Sequence, residues 1–467
     1  MNNISHLFEV EGRKYILDYK RQIFCRLNGE EYEHFKTVFK NIESSQQIPD
    51  NFGIFSELFK CGYFITKEKE ETIPSINYET LNISFAPVHD CNFLCRYCYA
   101  EGGTGTSNYR LQFDEAKIDL LLEHIYKEKY YYYNKYKFDF VSGGEPLLNV
   151  PLLEYFLSSM RKISKKEKKE TTVLIVTNGS LITPEIIKIL DKYDVFLGIS
   201  IDGPEEIHNR HRVYKNGTGT YKDVTKGIAT LRCSDASSKI KDAWAMAVVA
   251  RDTGSLVDVM ETCVDLGFSR MQMQLLRAAP DAPLSIRLAD TPMLKKKYIE
   301  LIEHILSFIE KGDLSRVKMI ANDNDSFGKY IRRLLLRYPV YYRCFAGKNK
   351  ISITAQGQVY PCDSFCGESD FCLGSIYHKS ENKEVLKRFK EAHCQNRPNC
   401  SRCWGRFICG GDCYYNSYIV NADILKPDPV VCEMNLFFIE QTIDMLTRIQ
   451  KINPEYIQYL ARLLRKY

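Results

Sequence analysis

Six apolar, strand-like runs recur at residues 81–87, 138–141, 173–176, 195–201, 244–249 and 271–276, and helical stretches separate them. Strands that alternate with helices predict βα units and a parallel sheet. The helices are expected after Asp114, Pro151, Thr183, Thr220 and Asp252. Six such units make an α/β fold, a barrel-like or open sheet expected here as a partial (β/α)6 TIM-like barrel, with ligands gathered at the C-terminal ends of the strands.

At 467 residues the chain is long for that domain alone, so smaller parts are expected on both sides of it. Residues 1–75 begin with strand-like runs at 7–10, 14–19 and 23–27, turning at Glu11-Gly12-Arg13 and Asn28-Gly29. Helical patterns around 30–42 and 52–60 and a strand-like 63–66 follow, which reads as an N-terminal winged-helix-like module with a boundary near Pro74. The core is placed at 80–290, a helical bridge at 291–340 and a cysteine-rich region at 341–467, whose ends read as helices over 433–449 and 454–465.

The surface charge is nearly balanced, +5 from 64 basic and 59 acidic side chains, which does not make a polyanion-binding field, so no nucleic acid is expected. The start lacks a basic region leading into an apolar one, and no apolar run approaches the roughly 18 residues that span a bilayer. A cytoplasmic protein with no membrane partner is therefore expected. The run Tyr130-Tyr131-Tyr132-Tyr133 and the segment 165–170 read as solvated surface.

Seventeen cysteines in such a chain point to metal ligands or catalytic thiols, because cytosolic thiols are kept reduced. Cys25, Cys61, Cys233 and Cys263 are scattered and are expected as small buried hydrophobes. Cys91, Cys95 and Cys98 lie just after the first core strand. Three thiolates so spaced can each hold one iron of a [4Fe-4S] cube and leave the fourth iron open. Zinc is the alternative and needs a fourth ligand from elsewhere. Gly143-Gly144-Glu145-Pro146 follows the second strand, Thr177-Asn178-Gly179 the third, and Ser200-Ile201-Asp202-Gly203 closes the fourth. The glycines permit close backbone approach to a ligand amine, and Ser200 and Asp202 are candidates for ribose hydroxyls.

The run Cys-Asn-Phe-Leu-Cys-Arg-Tyr-Cys from Cys91 to Cys98, with Gly143 to Pro146, resembles the radical S-adenosylmethionine (SAM) superfamily. The resemblance implies that methionine's amine and carboxylate chelate the open iron, and that reduction yields a 5'-deoxyadenosyl radical. By the same resemblance Tyr97, Gly143, Gly144, Glu145, Pro146, Asn178, Ser200 and Asp202 are candidate SAM contacts, and a flavodoxin or ferredoxin is the implied electron donor.

Further on, Cys344-x12-Gly357-x4-Cys362, Cys400-x2-Cys403-x5-Cys409-x3-Cys413 and then Cys432 supply seven thiols. Two zinc ribbons would use such ligands as well. The order and spacing resemble the C-terminal iron-sulfur SPASM domain of radical SAM enzymes. That likeness implies one auxiliary [4Fe-4S] cluster on Cys400, Cys403, Cys409 and Cys432, and another on Cys344, Cys362 and Cys413. With the Cys91 cluster this makes three [4Fe-4S] clusters. The last ligand of the Cys344 cluster is left open, or comes from Cys366, Cys372 or Cys394. Asp363 follows Cys362 at the position where the carboxylate of anaerobic sulfatase maturases resembles a general base, although a turn-capping Asp fits equally.

Peptide-maturing SPASM enzymes resemble this chain in carrying an N-terminal leader-recognition module. His89-Asp90-Cys91 and Tyr99-Ala100-Glu101-Gly102 also resemble thioether-forming ribosomal-peptide maturases. The expected function is thus a thioether crosslink in a precursor peptide with a leader. Formylglycine formation is the alternative enzyme reading, and a non-catalytic iron-sulfur or zinc-structured binding protein the alternative of another class.

Overall fold

The computed structural model describes residues 4–40, 54–64, 73, 78–100, 113–141 and 143–465. It divides into two compact units. One comprises Met1–Ser75, Ile286–Cys344 and Ala392–Tyr467, and the other Ile76–Ser285 and Phe345–Glu391.

In the first unit, β1 (Ser5–Val10), β2 (Arg13–Asp18) and β3 (Ile23–Leu27) form an antiparallel sheet in the order β1-β2-β3. Helices Gly29–Lys40 and Ile54–Lys60 follow, and Ile16, Leu27, Phe35, Phe55 and Phe64 make their shared core. The strand-like pattern at 63–66 does not form a strand at its described residues. Tyr63 and Phe64 lie in a turn, and Phe64 takes a left-handed φ of 67° that sends its ring into that core. Residues 65–66 lie outside the described residues, as do Pro74 and most of the predicted boundary. The long helices of this unit, Thr291–Ile309, Gly328–Leu336 and Pro429–Ile452, meet through Tyr298, Phe327 and Phe438, whose ring centroids are 4.6–6.2 Å apart.

The second unit is built on six parallel strands in sequence order: β4 (Thr80–Ser84), β5 (Lys135–Phe140), β6 (Glu170–Thr177), β7 (Phe196–Ser200), β8 (Trp244–Val249) and β9 (Met271–Leu275). This is the partial barrel that the strand and helix alternation implied. On β5 the residues Tyr136, Phe138 and Phe140 are buried and alternate with half-buried Lys137 and Asp139, the two-residue period of a pleated strand. Phe85, Phe138, Phe140 and Phe156 stack into one aromatic core under helix Val150–Lys166, and such contacts add to plain area burial.

Four further strands extend this sheet. β10 (Lys350–Ile353) pairs parallel to β4, and β11 (Gln358–Tyr360), β12 (Gly374–Ser375) and β13 (His378–Glu381) continue it antiparallel. The chain from Phe345 to Glu391 therefore packs with the core strands, whereas Ala392–Tyr467 packs with the N-terminal module.

Of the scattered cysteines only Cys263 is fully buried, and Cys25 is half-buried on β3. The expectation of burial fails for Cys61 and Cys233, which are exposed. Both stand at the C-terminal ends of helices, Cys61 just after Ile54–Lys60 and Cys233 as the cap of Tyr221–Arg232, where the chain turns to solvent. Tyr131 and Tyr132 are exposed as expected, but Tyr130 and Tyr133 are buried.

Candidate cluster and cofactor sites

The loop after β4 carries Cys91, Cys95 and Cys98 and is held from two sides. On one side its backbone pairs with residues 211–214: Leu94 N donates to Val213 O at 2.8 Å and Arg96 N to His211 O at 2.9 Å. Phe93, 1% exposed, anchors it edge-on against Tyr214. On the other side Gly144 N donates to Val88 O at 2.9 Å and Glu145 N to Asp90 O at 2.8 Å. The approach is so close that a Cβ on Gly144 would lie 1.9 Å from the Asp90 carbonyl oxygen, and Gly143 has a φ of 87°. These glycines let the loop after β5 close on the cysteine loop, as only residues without a side chain can.

Glu145 is buried and spends its carboxylate on neighbouring structure. It accepts from Leu147 N at 3.1 Å, from Thr177 Oγ1 at 2.7 Å and from Asn178 N at 2.7 Å. Burial nevertheless pushes its carboxyl up. Pro146, also buried, opens the short turn that follows. Asn178 donates through Nδ2 to Asn92 Oδ1 at 2.8 Å and reaches Cys91 Sγ at 3.8 Å. The ends of β4, β5 and β6 thus meet around Cys91.

Ser200 ends β7, and Asp202 two residues on is buried with both oxygens engaged. Arg212 Nε and Nη2 donate at 3.0 and 3.2 Å, Val248 N at 2.9 Å, and the Tyr97 hydroxyl completes the set. Burial opposes the Asp202 charge, but Arg212 outweighs it and the carboxyl stays below its ordinary range. The same guanidinium lies 5.4 Å from the centre of the Tyr97 ring. Arg212 carries no motif signal and was not foreseen from sequence. Nor was His208, whose Nδ1 accepts from Asp202 N at 3.4 Å and whose Nε2 meets Thr220 Oγ1 at 3.0 Å. Burial pushes His208 down to about 4, so it stays neutral near pH 7.

Burial raises Cys91 to about 11 and Cys95 to about 12, so both are protonated thiols until a metal draws off the proton. Among the described residues no three His, Cys, Asp or Glu side chains gather closely enough to hold a single ion. Tetrahedral zinc would bring its thiolates to roughly 3.8 Å of one another, from a Zn–S bond of about 2.3 Å. Thiols that each hold a different iron of a cube stand further apart.

In the same unit Asp363 follows Cys362 and begins a short turn, Asp363–Phe365, after β11. It does not cap the turn. Its Oδ1 pairs with Lys350 Nζ of β10 at 3.2 Å, and its Oδ2 is 3.5 Å from the hydroxyl of Tyr99, the residue after Cys98. Burial disfavours the charge, yet Lys350 keeps this carboxyl below the ordinary range. Lys137 and Asp139, 3.3 Å apart on β5, add a second ion pair, and the Asp139 carboxyl is raised by burial. Cys366 is held by Ser352 Oγ at 3.3 Å and Cys372 by Gly374 O at 3.4 Å. Glu101 and Gly102 lie outside the described residues.

The first unit holds Cys400, Cys403, Cys409 and Cys432 together. The Cys432 thiol is raised by burial and then by the charges of Cys409, Cys400 and Cys403. Cys403 N bonds to Cys400 O at 2.9 Å, Cys409 sits in the turn Arg406–Cys409, and Cys432 lies in the first turn of Pro429–Ile452. Asn435, one turn further along that helix, donates to Cys409 Sγ at 3.4 Å. Buried Cys394 lies near Cys400 and Cys409, and its thiol is pushed up to about 12 by burial. Cys344 and Cys413 also belong to this unit, both near Tyr414, while Cys362 belongs to the other.

A buried, glycine-bound loop with three thiols after the first strand of a partial α/β barrel suits a cluster with one open iron, and comparison with known proteins agrees. Residues 86–237 match the Radical SAM superfamily model, and residues 344–404 match that of an iron-sulfur cluster-binding domain, SPASM. The chain is similar to a cysteine-type anaerobic sulfatase-maturating enzyme of Clostridium novyi, 24% identical over 78% of this chain and 95% of that one. It is also similar to the radical SAM cyclopropyl synthase TigE of Paramaledivibacter caminithermalis, 23% identical over 94% of this chain and 90% of that one. The structure of native anSMEcpe with bound AdoMet shares the fold, with a TM-score of 0.62 and 21% identity over 80% of this chain and 99% of that one. The chain carries a Radical SAM domain and a SPASM domain, the domains that bind S-adenosylmethionine and iron-sulfur clusters. Among the described residues no helix is long and apolar enough to cross a membrane.

Proposed function

We propose that this enzyme matures a ribosomally made precursor peptide by joining a cysteine sulfur to a carbon of another residue. The observation that carries the reading is the N-terminal three-stranded sheet, whose outer strands β1 and β3 each pair with one neighbour among the described residues. An extended leader peptide binds such an edge by adding a strand. The match to the radical SAM cyclopropyl synthase TigE, which spans 94% of this chain, supports a radical SAM role for the whole of it.

In this reading Cys91, Cys95 and Cys98 hold the catalytic cluster, and Cys400, Cys403, Cys409 and Cys432 hold one auxiliary cluster. Cys344, Cys362 and Cys413 hold a third, and a flavodoxin or ferredoxin supplies electrons. When bound, S-adenosylmethionine at the reduced cluster supplies a 5'-deoxyadenosyl radical that removes a carbon-bound hydrogen. Glu145, Asn178 and the glycines fix the loop that presents Cys91. The buried pair of Asp202 and Arg212 fixes Tyr97 beside Cys98. Asp363, kept ionised by Lys350, takes the substrate proton. Replacing Asp363 with Asn is expected to slow product formation by about a hundredfold or more, as loss of a general base does, while S-adenosylmethionine cleavage continues.

A second reading, formylglycine formation on a protein cysteine, is favoured by the place of Asp363 after Cys362 and by the match to the Clostridium novyi enzyme. Mass analysis of a cysteine-containing precursor after reaction separates the two. The thioether product is lighter by two hydrogens per crosslink, and after reduction its sulfur resists alkylation. A product that keeps an alkylatable thiol after the same mass loss would contradict the thioether. A formylglycine would establish the second reading.

A further inference from the structure

Three arginines are almost wholly buried around the Cys400, Cys403, Cys409 and Cys432 thiols: Arg397 at 0%, Arg406 at 2% and Arg333 at 5% exposure. Each reaches the ligand loops themselves. Arg333 Nη1 donates to the carbonyls of Ile408 at 2.8 Å and Cys409 at 3.0 Å. Arg406 Nη1 donates to Cys403 O at 2.7 Å. Arg397 donates to Asp412 O at 2.7 Å, Ile424 O at 3.0 Å, Leu425 O at 3.2 Å and Ser417 Oγ at 2.6 Å.

At Arg333 and Arg397 these bonds engage guanidinium protons without neutralising the charge, and the buried Arg333 Nε has no hydrogen-bond partner among the described residues. Among the described residues neither Arg333 nor Arg397 has a carboxylate within 4.0 Å, the ion-pair distance. The buried carboxylate nearby, Asp412, is spent on Cys413 N, Asn416, Ser417 and Asp428 N. Arginine stays protonated at any working pH, and a buried charge is tolerated only opposite an anion. The thiol set lies beside them, for Arg406 and Arg333 bond the main-chain carbonyls of Cys403 and Cys409 themselves.

We propose that these arginines set the redox role of the centre on Cys400, Cys403, Cys409 and Cys432, making it an electron acceptor; this rests on the cluster assignment proposed above. Reduction adds one negative charge to a four-thiolate cluster, and fixed buried cations favour the state that carries it. The electron has a source in the proposed reaction. A substrate carbon radical and a thiolate combine into one C–S bond and release one electron, which reduces the cluster. No further oxidant enters the balance.

EPR-monitored redox titration of the full, anaerobically reconstituted chain tests this with Arg333→Gln and Arg333→Lys. Glutamine keeps a hydrogen-bond donor without the charge, so the midpoint of one cluster is expected to move negative in Arg333→Gln and to stay near the parent value in Arg333→Lys. Full iron with an unmoved midpoint in Arg333→Gln would overturn the proposal. So would equal shifts in both variants, because the donor rather than the charge would then matter. If Arg333→Gln loses iron, retention of iron by Arg333→Lys supports the charge role, and loss from both overturns it. Unchanged iron and EPR spectra in Cys432→Ala would instead overturn the ligand assignment.

Discussion

Gly144 shows how much of the first site depends on single residues. An added Cβ would lie 1.9 Å from the Asp90 carbonyl oxygen, and backbone cannot yield as a side chain tip does. Gly144→Ala is expected to displace the Cys91 loop, lowering iron content and abolishing 5'-deoxyadenosine release. Normal release from this variant would show that the close approach is dispensable. The motif glycine was legible in the sequence, but its immediate neighbour was not, because Asp90 comes from the end of another strand. Asp202 teaches the same lesson. Its motif suggested a ribose contact, while Arg212, Tyr97 and Val248 engage both of its oxygens. No spacing rule announces a partner that a helix places ten residues later.

His208 adds a pH dependence at the same scale. Its folded value of about 4 lies below its unfolded value of 6.5, so the unfolded chain binds the extra proton in between. Its contribution is therefore undisturbed above about pH 6.5 and is lost as pH falls toward 4, up to about 3 kcal/mol. The thermal midpoint should fall between pH 6.5 and 5 by more in the parent chain than in His208→Gln. Parallel falls would refute the assignment.

At the scale of elements, helix Pro429–Ile452 ties the N-terminal sheet to the rest of its unit. Asp444, 1% exposed, accepts from Arg13 Nε at 2.5 Å and from the Tyr15 hydroxyl at 2.6 Å. Nearby, Tyr19 meets Arg406, and His6 stacks on Trp404 at 3.8 Å. Removing residues 1–75 would therefore uncover Asp444 and Arg406, so truncation is not a clean test of leader binding. Shortening the precursor peptide instead leaves the enzyme intact, and loss of the leader is expected to weaken its affinity. Asp444→Ala should cost about 3 kcal/mol, typical of a broken buried pair, and lower the thermal midpoint. An unchanged midpoint would show that Arg13 and Tyr15 find water as readily.

The long βα pattern and the three N-terminal strands were readable because each repeats a period over several residues. β10 to β13 were not. They are two to four residues long, and the first of them is recruited by β4, a partner more than 260 positions away.

For the whole molecule, the cysteine spacing made the chemistry legible, whereas the buried arginines beside one of its thiol sets left no pattern in the sequence. Three cube-holding sets imply about twelve irons per reconstituted chain. Replacing Cys91, Cys95 and Cys98 together with Ala should remove about a third of that iron and all cleavage of S-adenosylmethionine. Tightly bound zinc without iron would contradict it.

In the proposed reaction the barrel and its cluster direct a radical at a carbon-bound hydrogen of a peptide. Mass analysis of the 5'-deoxyadenosine formed with a precursor peptide deuterated at its carbon positions tests this directly. Deuterium in the 5'-deoxyadenosine, in step with loss of one deuterium from the crosslinked peptide, is the expected result. Unlabelled 5'-deoxyadenosine beside a fully crosslinked, fully deuterated product would contradict it.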